Sequence, residues 1–115
     1  MSLLTDKRVE FSRCVALLIL WAHENNMPVV GHEWYRTPEQ AALNAKKGTG
    51  ISKSLHIKGL AIDLFRVKDG TITWDLDEYA PLAAYWKTLH PLARAGYDFN
   101  SRDAVHFSHE LDGIK

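Results

Sequence analysis

The sequence predicts an α+β fold, with a small central antiparallel sheet flanked by about three helices. Three observations carry this. Apolar residues recur at helical spacing near the start of the chain and again after Asp75. Between them, residues 59 to 67 alternate with period two, the mark of a half-buried strand. The two kinds of segment do not alternate as regular βαβ units, which argues against a doubly wound parallel sheet. A chain of 115 residues suits one compact domain, residues 1–115.

The first helix follows from Phe11, Val15, Leu18 and Ala22, with Cys14 and Trp21 beside them. It is expected from about Asp6 to Asn25, with Thr5 or Asp6 as cap and Asn25, Asn26 and Pro28 ending it. Val29 to Trp34 reads as a strand. Thr37 then caps a second helix, with Pro38 at the tolerated first position and Gln40 completing a capping box. Gly48 is its natural stop, and the Gly-, Ser- and Lys-rich segment from Lys47 to Ser54 reads as a loop. In the strand from Gly59 to Val67, Leu60, Ile62 and Leu64 point one way and Ala61, Asp63 and Phe65 the other. Asp69-Gly70 is a hairpin turn signal, with Thr71 to Trp74 as return strand. Asp75 or Asp77 caps a third helix that runs to about His90, where Pro91 ends it. Its apolar face is Tyr79, Leu82, Ala83, Trp86 and Leu89 or His90. A looser stretch begins at Gly96, and Ala104 to Ser108 forms a short final strand.

Composition removes several function classes. With 14 basic and 14 acidic residues, the charge sum is zero, against the basic excess of a nucleic-acid binder. The same balance predicts poor colloidal solubility near neutral pH. Cys14 is the only cysteine, so no intramolecular disulfide forms. Its apolar setting reads as core, not as a nucleophile's surroundings. The apolar stretch Cys14 to Ala22 is too short to span a bilayer and is interrupted upstream by Glu10 and Arg13. It reads as a buried helix, and the chain as cytoplasmic when made, with no signal peptide and no stable membrane association.

The segment Ser54-Leu55-His56-Ile57-Lys58-Gly59-Leu60-Ala61-Ile62-Asp63 carries the chemistry, together with Asp103-Ala104-Val105-His106-Phe107. Two imidazoles and a carboxylate (His56, His106 and Asp63) form a ligand set for Zn²⁺, and three protein ligands leave a fourth position open. Gly59 lets the chain turn sharply between a loop histidine and a strand aspartate. Asp63 sits among apolar residues, where an ionised carboxylate is costly unless paired or metal-bound. A cation is one answer; pairing with Arg36, Arg66 or Lys58 is the other. His23 and His90 read as structural, His32 as a residue that can line a cleft, and His109 as a supporting or substrate contact. Trp34, Tyr35, Trp74, Tyr85 and Trp86 read mainly as core, with Trp34 and Tyr35 as candidate substrate contacts. Lys46, Lys47 and Lys53 read as solvated loop charges or as attraction for an anionic polymer.

These segments resemble the zinc D-alanyl-D-alanine peptidase family, which includes carboxypeptidases and dipeptidases, phage L-alanyl-D-glutamate endopeptidases and the hedgehog-like fold. The S-x-H-x-x-G-x-A-x-D pattern is the specific part. The likeness extends upstream through Tyr35 to Gln40 and downstream from Gly96 to Phe107. It implies that His56, Asp63 and His106 bind zinc, that Asp103 is the catalytic carboxylate and that Arg36 steadies the carbonyl oxygen. Ser54 and Gln40 match supporting positions. Ser108 stands where relatives often carry Glu after the aromatic residue, so that residue's role does not carry over.

The resemblance further implies a phage or prophage peptidase, acting as a monomer on the peptidoglycan stem peptide at the L-Ala–D-Glu bond. It would reach the wall through a holin or in the phage particle. No separate wall-binding domain is expected in 115 residues. Two alternatives stay open: a D-Ala-D-Ala carboxypeptidase or dipeptidase, and a non-catalytic zinc-stabilised binding module or virion component.

Overall fold

The computed structural model describes residues 3–46 and 54–115. The expected loop over 47–53, with Gly48, Lys47 and Lys53, lies outside the described residues. Helix α1 spans Leu3–Glu24 and buries Phe11, Cys14, Val15, Leu18 and Ala22, the face that the periodicity marks. Thr5 and Asp6 lie inside it, so neither is its cap. His23 receives the Val29 N–H at Nε2, 3.3 Å away, and so ties the end of α1 to the next element.

Strand β1 is Val29–Gly31, shorter than expected. Beyond it the chain still pairs irregularly, since the His32 N–H donates to the Asp63 carbonyl and the Asp63 N–H to that of Glu33. Helix α2, Pro38–Lys46, begins as expected, with Thr37 Oγ1 accepting from the Gln40 N–H at 3.1 Å. A one-turn 3-10 helix, Leu55–Lys58, then leads into strand β2, Ala61–Lys68.

At the end of β2, Asp69 and Gly70 adopt φ of 53° and 78°, the left-handed pair of a two-residue hairpin. Strand β3, Thr71–Ile72, returns against β2. The expected third helix divides in two. A 3-10 turn at Leu76–Glu78 is capped by Asp75, whose carboxylate accepts from the Asp77 N–H. Helix α3 proper runs Ala80–Thr88, and Pro81 in its first turn resets the chain there. Strands β4, Ala93–Ala95, and β5, His106–His109, complete the sheet.

Every strand pair is antiparallel, in the order β1-β2-β5-β4, with β3 extending the edge of β2. The α+β expectation is borne out. One sheet face carries Leu60, Ile62, Leu64 and Phe107, which pack with Phe11 and Leu18 of α1 and Leu82 and Trp86 of α3. Burying each such side chain contributes about 1.5–3 kcal/mol. Polar tips inside this layer have partners. Trp86 Nε1 donates to the Arg94 carbonyl at 3.0 Å. The Tyr79 hydroxyl donates to the Thr73 carbonyl and accepts from the Arg66 N–H, which locks the β2–β3 hairpin to the start of α3.

The aromatic expectations divide. Trp86 is fully buried, but Trp34, Tyr35 and Trp74 are 38%, 54% and 67% exposed. Trp74 is therefore not a core residue: its ring meets Phe65 on the Asp63 side of the sheet. Burial raises the Cys14 thiol pKa, in keeping with a packing role. Among the described residues, no helix is long and apolar enough to cross a membrane.

Candidate metal centre

The open face of the sheet gathers the residues that the sequence singled out. Asp63 of β2 and His106 of β5 are direct cross-strand partners, so strand pairing alone sets their side chains next to each other. The third member arrives on the 3-10 turn. Ser54 Oγ accepts from the His56 N–H at 3.2 Å and starts that turn. Gly59 ends it at φ 71°, a left-handed conformation that glycine adopts without cost. The His56 carbonyl accepts from the Arg36 N–H at 3.0 Å, which fixes the backbone from the other side.

His56 Nδ1 donates to the Trp34 carbonyl at 3.1 Å. That bond sets the tautomer and leaves Nε2 with its lone pair, 3.4 Å from Asp63 Oδ1. Two acceptors this close require a proton or a cation between them. His106 Nδ1 lies 3.9 Å from the same Oδ1. Asp63 Oδ1 and His106 Nε2 are both buried without a hydrogen-bond partner, which is costly unless something else satisfies them. One ligand atom from each of His56, Asp63 and His106 falls within 4.8 Å of the others. The donor set and its orphaned atoms fit a divalent metal. The alternative pairings of Asp63 are not adopted: Arg36 is bound to Glu33 and Arg66 to Glu78, while the ion contacts of Asp63 are the two histidines.

Electrostatics agree. Burial opposes charge on His56, but contact with Asp63 and its charge outweigh this and raise its pKa. His106 is pushed down to about 4, mainly by burial and then by His56, so its ring is neutral and able to ligate at pH 7. Asp103 is raised above the usual carboxylate range, by partial burial first and then by the Asp63 charge.

The trio lies in a cleft of about 310 Å³ that Arg36, Ser54, Phe99, Asp103, Ile114 and Lys115 also line. Gly96 places Asp103 there. An added Cβ at Gly96 would sit 2.0 Å from the Asp103 carbonyl oxygen, so only glycine permits the approach. The Asp103 N–H donates to the Gly96 carbonyl, and the His106 N–H to that of Asp103, which relays the position into β5. Arg36 enters the cleft held by the Glu33 carboxylate, whose Oε1 also lies 3.8 Å from His56 Nδ1.

Two expected site residues are elsewhere. His109 is buried on the opposite sheet face, where strand alternation sends it, and its ring packs on Phe11, Trp86 and His90. Gln40 is exposed on α2 and is not among the residues that line the cleft. Conversely, Glu33, Phe99, Ile114 and Lys115 went unmarked in the sequence. Of these only Glu33 left a trace, a carboxylate three residues before Arg36.

Comparison with known proteins then narrows the reading. No family model matches the chain. Over 58 residues it is 34% identical to the L-alanyl-D-glutamate peptidase of Listeria phage A118, a match that spans 50% of this chain and 21% of the phage protein. The chain resembles the L-alanyl-D-glutamate peptidases. Its structure superposes on the crystal structure of the Serratia marcescens L-Ala D-Glu endopeptidase ChiX with a TM-score of 0.74. That superposition covers 87% of this chain and 77% of ChiX at 20% identity, and it shows a shared fold. The family resemblance drawn from the His56–Asp63 segment is thus borne out, and the chain spans about a fifth of the length of the phage relative.

Proposed function

We propose that the chain is a zinc-dependent peptidoglycan peptidase that hydrolyses the L-alanyl-D-glutamate bond of the stem peptide. The observation that carries this is the convergence of His56, Asp63 and His106 in one cleft with a carboxylate, Asp103, and a guanidinium, Arg36. Likeness in sequence and fold to L-alanyl-D-glutamate peptidases supports the choice of substrate. Two imidazoles and a carboxylate suit zinc, which supplies a Lewis acid and a water acidic enough to attack at neutral pH.

The chain's own residues supply the rest. His56 is presented through Nε2 because its Nδ1 proton is committed to Trp34. Asp103 takes the proton of the attacking water on its carboxylate and returns it to the departing amine. Its raised pKa brings proton affinity closer to that task. Arg36, oriented by Glu33, faces the negative charge that develops on the carbonyl oxygen. Ser54 holds His56 in place by accepting its backbone N–H. In this reading the protein acts as a monomer, delivered to the wall by a holin or by the phage particle.

Digestion of purified peptidoglycan followed by mass spectrometry of the products tests the proposal. New amino-terminal glutamate is the expected product. Release of terminal D-Ala would make the chain a carboxypeptidase, and no product from zinc-loaded protein would make it a binding module. Asp103→Asn should keep stoichiometric zinc and lose about 10²-fold or more in kcat; full activity in that variant would remove Asp103 from the role of base.

A further inference from the structure

The sheet face that carries Asp63 does not end at the cleft. Along β2, Phe65 follows Asp63 on the same face by strand alternation, about 6.6 Å farther along. The exposed His32 ring stacks on Phe65 at 4.8 Å, and the Trp74 ring meets Phe65 edge to face at 5.2 Å. Val30 pairs with Phe65 and is 43% exposed, and Ile72, at 36%, lies beside them on β3. Three aromatic rings therefore form a row that begins next to a metal ligand and runs out into solvent. On the sheet and helices Phe11, Trp86 and Phe107 are fully buried, while Trp21 and Tyr85 are half-buried and stack on each other. An exposed apolar row of this kind marks a binding surface.

We propose that this shelf is a saccharide subsite that holds the amino-sugar strand from which the stem peptide hangs. The inference rests on the peptidase reading above. In peptidoglycan the alanine of the L-Ala–D-Glu bond is joined directly to the lactyl group of muramic acid. With the alanine carbonyl at the metal, alanyl and lactyl units span roughly 7 Å before the sugar begins. That is the step from Asp63 to Phe65. A pyranose offers an apolar C–H face and a hydroxyl rim, and aromatic rings with polar tips, such as His32 and Trp74, complement both. The shelf thus gives the enzyme a hold on the glycan side of the cut bond, which a free stem peptide would lack.

The test compares two substrates. One is the N-acetylglucosaminyl-N-acetylmuramyl disaccharide carrying the stem peptide; the other is the same peptide acetylated at its amino terminus. Wild-type protein should show a lower KM for the disaccharide substrate. Trp74→Ala, an exposed change, should raise that KM roughly three- to tenfold with kcat held, the loss expected for one ring contact. His32→Ala should act in the same direction. KM for the sugar-free peptide should not move in either variant. Equal KM values for both substrates in wild type, or an equal rise on both in Trp74→Ala, would overturn the saccharide assignment; the second result would place peptide on the shelf instead. If neither substrate is cut, the peptidase reading fails separately. Binding of the free disaccharide, followed by titration calorimetry in wild type and Trp74→Ala, then decides the shelf: binding lost in the variant supports it, and none in wild type or equal binding in both sinks it.

Discussion

Gly96 and Asp103 show how one hydrogen atom in place of a methyl group fixes the geometry of the cleft. The carbonyl of Asp103 occupies the space that any other side chain at position 96 would need. Gly96→Ala therefore has to push the 103–106 segment away from the cleft. The overpacking costs about 1–3 kcal/mol of stability. The larger effect should be on turnover, since a displacement near 1 Å can cost about 10²-fold. Paired measurements of kcat and Tm check this; a fall in Tm with kcat unchanged would mean that Asp103 is held by something other than Gly96. Glu33 acts differently, through Arg36 and His56 and not on the substrate. The sequence offers Arg36 and Asp103 through a family pattern. It does not show that Glu33 orients the one or that Gly96 seats the other, because both facts depend on chain segments distant in sequence.

At the scale of elements, the pattern of β2 explains most of the site. Its alternation sends Ile62 and Leu64 to the helices and Asp63 to the open face, and this was legible from period two alone. The Asp69-Gly70 hairpin was equally legible, since few other residue pairs accept two positive φ values. Gly70 has open space around its Cα, so Gly70→Ala tests conformation without a clash. It should cost about 1–2 kcal/mol from the left-handed backbone. Thermal unfolding should register that loss while metal stoichiometry stays at the wild-type value. The elements that escaped the pattern are the ones that owe their form to partners. Strand β4, Ala-Arg-Ala, has no β-branched residue, and pairing with β5 makes it a strand. The third helix was expected as one piece, but its Asp75 cap serves a separate 3-10 turn, and α3 restarts around Pro81.

At the scale of the whole molecule, one buried titration bears on stability, and a bound metal would bear on it as well. His109 is buried beside His90 and the aromatic rings, and its pKa is pushed down to about 4, by burial first and then by His90, with Glu10 opposing and Arg13 assisting. A histidine lowered in this way is neutral in both states above about pH 6.5 and has no effect there. Between about pH 6.5 and 4 the unfolded chain takes up a proton that the folded chain refuses, so stability falls as pH falls. His109→Phe should flatten this loss. Denaturant midpoints at pH 7 and pH 5, measured on chelator-treated protein, should differ less in the variant than in wild type; an equal difference would clear His109 of the effect. Under the zinc reading proposed above, the metal works in the other direction. Removing it should lower Tm, and restoring it should raise Tm with free zinc concentration, the unfolding free energy gaining about 2.7 kcal/mol at a hundred times Kd. A Tm indifferent to zinc would show that the cleft does not bind it.

The sequence by itself determined the α+β class, the buried face of α1, the hairpin and the choice of His56, Asp63 and His106 as candidate ligands. Each of these is local: a period, a turn pair or a ten-residue motif whose side chains act on their own neighbours. Only the tertiary structure decided which residues share the cleft. It set His106 opposite Asp63 by strand register and turned His109 to the core by the same alternation. It also left Trp74 in solvent beside Phe65. Which face of a sheet is covered depends on where the helices pack, and no single segment contains that information.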